Sequence, residues 1–198
     1  MVVGWTAPTL TGRVVRLEPL SPDHADDLWE ASRDPLLWRW LPVVQPQTRA
    51  EWDAWMTAAL ERTDAGLERA FATVLLADGK ATGSTRFLNI HPEHRTLEIG
   101  WTWLAPTAWG TGANAEAKLL QMEFAFDTLG YRRVEFKTDA LNERARPALA
   151  GLPAQFEGIF RKHMLVRDGV SRDSAWYSVV EDEWPEVRES LRARLAAS

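Results

Sequence analysis

Residues 98–117, EIGWTWLAPTAWGTGANAEA, restrict the fold of this chain more than any other segment. The run Ile99-Gly100-Trp101-Thr102-Trp103-Leu104 is aromatic and β-prone. A proline turn follows, then Gly110-Thr111-Gly112, then residues that read as a helix start. Strand, glycine turn and helix start in that order aim several backbone N–H groups at one point, and the positive end of the helix dipole adds to them. The product is a site for a phosphate-bearing ligand. Gly110 and Gly112 permit turn geometry and close approach to the ligand, although Gly-x-Gly also occurs in ordinary turns. A Walker loop does not fit, because Gly112 is followed by Ala113 and Asn114 rather than by Lys and Ser or Thr. A dinucleotide fingerprint does not fit either: position 115 is Ala, and the motif lies mid-chain.

The chain has 198 residues, enough for one domain with a real core, and a single domain over 1–198 is expected. No apolar run approaches the roughly 20 residues that a membrane span needs. The opening MVVGWTAPTLTGRVV lacks the layout of a secretory signal, so cytoplasm is the default compartment. The chain has no cysteine, which excludes disulfides, thiolate nucleophiles and Cys-ligated zinc. A net charge of −5 makes nucleic acid a poor main partner and suits an amine-bearing substrate. Of the eleven tryptophans, Trp38 and Trp40, in the loop-like DPLLWRWLP, are candidates for a pocket wall, with core filling the alternative.

Along the chain, 13–20 alternates as a strand, and Ser21-Pro22-Asp23 opens a helix. An irregular stretch covers 34–48. Thr48 and Glu51 then form a capping box for a second helix with apolar Trp52, Trp55, Met56, Ala59 and Leu60. Strands are expected over 71–76, 83–90 and 96–104, the first two joined by the Asp78-Gly79 turn. A helix over 113–129 stops at Gly130. A strand over 134–138, a short helix, a hairpin of 156–166 and 174–180 around Arg167-Asp168-Gly169, and a charged helix over 184–195 complete the chain. The expected class is α/β (α+β), with one largely antiparallel sheet and helices packed on its faces.

This order and its motifs resemble the GCN5-related N-acetyltransferases, and more closely the branch that acetylates the N-terminal amines of ribosomal proteins. The family loop [Gln/Arg]-x-x-Gly-x-[Gly/Ala] is met here by Thr107-Ala108-Trp109-Gly110-Thr111-Gly112, with a departure at Thr107. Further likeness lies in VRLEPL, in EIGWTWLAP, in ANAEAKLLQMEFAFDTLGYRRVEFKTDALNERAR and in RDSAWYSVVEDEWP, and so spans nearly the whole chain. The resemblance implies a mixed sheet with two splayed parallel strands, and acetyl-CoA as co-substrate. Backbone amides of Trp109, Gly110, Thr111, Gly112, Ala113 and Asn114 would hold its pyrophosphate. Edge groups of Thr102, Trp103 and Leu104 would pair with the pantetheine amides, and Asn142 would bind the same arm, its alternative role being a helix N-cap.

Acetyl transfer by direct attack of an amine needs a base for the amine proton and a donor for the oxyanion. Glu98, on the strand leading to the loop, is the candidate base. Its alternative is a strand glutamate facing water or paired with Arg86 or Arg95. Trp38 and Arg86 are the candidate acceptor-wall residues. The tyrosine and serine that relatives place after the asparagine correspond to Leu149 and Ala145, so water or the substrate ammonium would protonate the leaving thiolate. Pro147 and Pro153 also depart from the pattern. His163 reads as packing, and His24, His91 and His94 lack matching carboxylates, so no metal site is expected. The resemblance favours a protein N-terminal amine as acceptor. A small amine, an amino acid or an aminoglycoside is the alternative, and a non-catalytic acyl-CoA sensor the second class. The protein would be a monomer or a homodimer.

Overall fold

The computed structural model describes residues 4–167 and 169–197. Asp168, at the tip of the expected last hairpin, lies outside the described residues. A short strand that the sequence does not announce, β1 (Leu10–Thr11), pairs antiparallel with β2 (Val15–Pro19). A 3-10 turn at Pro22–His24 leads into α1 (Ala25–Ala31). The capping box forms as its spacing predicts: the Glu51 amide donates to Thr48 Oγ1 at 3.2 Å, and the Thr48 amide donates to Glu51 Oε2 at 3.3 Å. It starts α2 (Arg49–Asp64), whose Trp52, Met56 and Ala59 are buried.

The strands β3 (Arg69–Leu75), β4 (Ala81–His91) and β5 (Thr96–Leu104) run antiparallel in sequence order. Next comes α3 (Ala113–Glu123), continued by a π-helical turn at Phe124–Thr128 and ended by Gly130 at φ +67°. The remaining elements are β6 (Arg133–Asp139), α4 (Ala145–Ala150), β7 (Gln155–Val166), β8 (Val170–Val180) and α5 (Trp184–Ala196). Among the described residues one eight-stranded sheet results, ordered β1-β2-β3-β4-β5-β6-β8-β7.

Strand alternation feeds two cores on opposite faces of the sheet. In β3, Phe71 enters the core built with Ala117 and Met122 of α3 and Leu191 of α5. Its neighbours Ala70, Ala72 and Val74 enter the core built with Leu28 of α1 and Trp52 of α2. Helices therefore cover both faces, as the sequence class requires. The junction between β5 and β6 decides where function lies. Among the described residues these strands are the one parallel pair, and they pair only through Thr96–Arg133, Leu97–Val134 and Glu98–Glu135. Beyond Glu98 they diverge, and the gap between them opens a cleft.

Candidate active site

The cleft has a volume of about 490 Å³ and runs from the glycine turn to the β7–β8 hairpin. At its first end Gly110 and Gly112 adopt φ +78° and +84°, the left-handed region that glycine enters without strain. Gly112 is the N-cap of α3, and the first intrahelical bond is the Glu116 amide to the Gly112 carbonyl, 2.9 Å. The amides opening the helix have no intrahelical partner. Trp109, Gly110, Gly112 and Asn114 line the cleft, whereas Thr111 and Ala113 do not. Thr111 Oγ1 donates to the Ala108 carbonyl at 2.8 Å, and the Ala113 methyl is buried in the core. The Arg144 guanidinium stacks 3.2 Å from the Trp109 ring centroid. Arg194 of α5 also reaches this end.

Thr102, Trp103 and Leu104 line the middle of the cleft. Here β5 carries a bulge: Ser84 is opposite Trp103 and Arg86 opposite Gly100, so Trp101 and Thr102 together face Thr85. Trp101 takes φ +49°, a strained conformation for a tryptophan. Bulges leave a backbone group unpaired and re-aim the strand, and they concentrate at active sites. The Leu104 carbonyl already accepts from Trp109 Nε1 at 2.7 Å, which ties the loop to the strand end.

Under the bulge lies Lys118 of α3, 4% exposed. Its Nζ donates to Thr102 Oγ1 at 2.6 Å and to Thr85 Oγ1 at 3.2 Å. Burial pushes its pKa down to about 7, because no carboxylate offsets the desolvation of the ammonium. A group titrating near neutrality inside a cleft is suited to proton traffic.

Glu98 is buried at 1% exposure on the cleft wall. Its Oε2 accepts from Lys137 Nζ and from Asn89 Nδ2, each at 2.8 Å. Neither of the cations weighed from sequence, Arg86 or Arg95, is its partner. The parallel register Glu98–Glu135 brings Lys137, two residues on and on the same face, within reach. Oε1 lies against Gly100, where a Cβ would come within 2.8 Å of it. The missing side chain at Gly100 thus makes room for the second carboxylate oxygen.

Two expected acceptor-wall residues, Trp38 and Arg86, lie outside the cleft lining. Trp38 is 3% exposed and sits in the α1–α2 core, with Nε1 donating to the Ser32 carbonyl at 2.8 Å. The 3-10 turn at Pro35–Leu37 turns Trp38 inward and leaves Leu36, Trp40 and Pro42 on the cleft wall. Arg86 is likewise 3% exposed; it donates to Glu68 Oε2 at 2.8 Å and stacks on Trp55 and Trp101. It braces the bulge from outside the cleft. Asn142 lines the cleft in the capping role: Oδ1 accepts from the Ala145 amide at 3.0 Å and Nδ2 donates to Thr138 Oγ1 at 3.0 Å. One Nδ2 hydrogen remains for a ligand. Leu149 and Ala145 do line the cleft, so no side-chain acid stands at either position.

The sequence reading misses Lys118, Lys137, Arg144 and Arg172, all of them cleft residues. Only Lys118 leaves a local trace, a lysine in register with Ala115 and Met122 on an apolar helix stripe. Among the described residues no cluster of His, Asp and Glu could hold a metal ion, and no helix is long and apolar enough to cross a membrane.

The comparisons agree with this geometry. The fold superposes on a GCN5-related N-acetyltransferase from Brucella melitensis with a TM-score of 0.89 and 36% identity, over 97% of this chain and 90% of that one. A GNAT-family protein from Chromobacterium violaceum ATCC 12472 is 27% identical at a TM-score of 0.82, over 93% of this chain and 95% of that one. RimJ from Mycobacterium smegmatis, solved with CoA-disulfide, shares the fold at a TM-score of 0.77 and 24% identity, over 98% and 97%. No curated protein matches the sequence. The splayed pair, the bulged strand and the glycine turn define an acetyltransferase fold. A family model for the acetyltransferase (GNAT) domain matches residues 15–152, and the chain belongs to that family as an N-acetyltransferase.

Proposed function

We propose that the protein moves an acetyl group from acetyl-CoA to a primary amine, by direct attack, with a protein N-terminal α-amine of the ribosomal-protein type as acceptor. The observation that carries the donor assignment is the glycine turn at the start of α3, opening onto a cleft bounded by β5, which β6 no longer pairs beyond Glu98. Backbone amides around Gly110–Asn114 suit a pyrophosphate, and Arg144 and Arg194 add positive charge beside them. The unpaired backbone at the Trp101–Thr102 bulge suits pantetheine amides and the thioester carbonyl. Acetyl-CoA supplies an activated acyl group, and the residues around it position the amine and take its proton.

Glu98 is the base in this reading. Lys137 and Asn89 hold one carboxylate oxygen, and the other faces Gly100 in the cleft, free to receive a proton directly or through water. Leu36, Trp40 and Pro42 would form the acceptor wall. The N-terminal specificity rests on family likeness, and cytoplasm is the compartment in which such an acceptor is met. Calorimetry tests the donor site. Wild type is expected to bind acetyl-CoA at micromolar Kd and Gly112→Val to lose it, because residue 112 sits at positive φ and a Cβ there meets Leu195 at 3.4 Å. No binding by wild type would overturn the assignment. Glu98→Gln is expected to lower kcat on a peptide acceptor by about 100-fold or more with acetyl-CoA Kd unchanged.

A further inference from the structure

Arg172 of β8 lines the cleft at its β7–β8 end, beside Met164 and two residues from Ser174, which pairs with Asp139. It is 7% exposed. Among the described residues it has no hydrogen-bond or ion-pair partner, and its Nε is buried without one. Each of the two carboxylates whose field it feels has one oxygen engaged by another group, and neither makes a hydrogen bond or ion pair with it. Asp139 Oδ1 accepts from the Leu141 amide at 2.9 Å, and Glu98 Oε2 is held by Lys137 and Asn89. Burial lowers the Arg172 pKa, and the Arg167 charge acts in the same direction. A guanidinium so buried stays charged and presents a fork of donors, so a partnerless one is costly to keep in a fold. An unsatisfied buried donor of this kind asks for a ligand.

We infer that Arg172 receives a carboxylate carried by the acceptor close to its reacting amine. The inference rests on the transferase reading for the identity of the amine, and on the Arg172 geometry alone for the carboxylate. Planar carboxylates match the guanidinium fork. Glu98 and Arg172 both line the cleft, near enough for the Glu98 charge to act on Arg172, so a zwitterionic end, ammonium toward Glu98 and carboxylate toward Arg172, fits both. Two sources carry that chemistry: the α-carboxylate of a free amino acid, or an acidic side chain in the first residues of a peptide.

The test is calorimetry on the CoA-bound protein, which needs no turnover. Matched pairs separate the sources: alanine against alaninamide, and a peptide amide Ser-Asp-Ala against Ser-Asn-Ala. In wild type the carboxylate member of one pair is expected to bind about ten- to a hundredfold tighter than its neutral twin, the range for a charge-assisted bond. Arg172→Gln is expected to erase that preference, leaving the neutral twin and acetyl-CoA within about twofold. Arg172→Lys keeps the charge without the fork and is expected to retain part of it. Equal binding of both members of both pairs by wild type overturns the inference whether or not the variants fold. So does a preference that survives Arg172→Gln, or a loss shared equally with acetyl-CoA. An acetylation assay with the same four compounds tests the transferase reading separately: preference without acetylation sinks that reading and leaves the carboxylate site standing.

Discussion

Replacing Lys118 by Met separates the cost of a buried ammonium from everything else in the fold. Methionine is unbranched like lysine and one heavy atom shorter, ending where the lysine Cε lies. The hydroxyls it would abandon retain one another, Thr85 Oγ1 to Thr102 Oγ1 at 2.8 Å, and Thr85 Oγ1 donates to Gln121 Oε1 at 3.1 Å. The pKa of Lys118 falls from 10.5 to about 7 through burial. At about 1.4 kcal/mol per pH unit, keeping the protonated form inside costs roughly 5 kcal/mol. In the unfolded chain the lysine keeps its proton up to its ordinary pKa, while the folded protein releases it above about 7. Between these values the unfolded state binds more protons, so stability rises with pH and the penalty fades. The penalty is full below about pH 6 and has shrunk to roughly 2 kcal/mol at about pH 9. Urea unfolding of both proteins at these two pH values, at one temperature, reads the effect. The stability of Lys118→Met relative to wild type is expected to drop by roughly 2–3 kcal/mol from the acid to the alkaline condition. Other titrating groups cancel in the difference. A gap that stays constant within about 0.5 kcal/mol would refute the reasoning, since Lys118 would then keep one protonation state in both conditions.

Further outcomes follow from single side chains. Glu116, 4% exposed, accepts from the amides of Arg13, Val14 and Val15 at 2.7–2.8 Å, so Glu116→Ala strands three donors and is expected to cost about 3–5 kcal/mol in urea unfolding. A Cβ at residue 83 would lie 2.2 Å from the Trp103 carbonyl oxygen, so Gly83→Ala is expected to lower Tm sharply and weaken acetyl-CoA binding, both through displacement of β5. Gly100→Ala pushes on the pinned Glu98 carboxylate, and is expected to lower kcat by more than it raises the acetyl-CoA Kd. Trp38→Ala should cost about 3–5 kcal/mol of stability, as a core truncation does, whereas Trp40→Ala should leave stability nearly intact and raise the acceptor KM.

Local signals survive in sequence because their cause is local. The capping box at Thr48, the Asp78-Gly79 turn, the stop at Gly130 and the glycine turn at 110–112 depend on backbone geometry and neighbours within a few residues, and the structure keeps all four. Alternation along 13–20 likewise announced a strand, since side-chain direction in a strand depends only on residue parity. Glu98 was readable as a carboxylate on the strand entering the cleft, but its partner was not. Lys137 meets it only because β5 and β6 run parallel with Glu98 opposite Glu135, a pairing between segments far apart in the chain. Trp38 and Trp40 looked alike in sequence, and a single 3-10 turn sends one into the core and the other to the wall. The type of fold, its glycine loop and its strand carboxylate were thus determined by short-range chemistry. The burial of Lys118, the partnerless Arg172 and the splay that makes the cleft were decided by tertiary packing, because desolvation and long-range register have no expression in the order of residues alone.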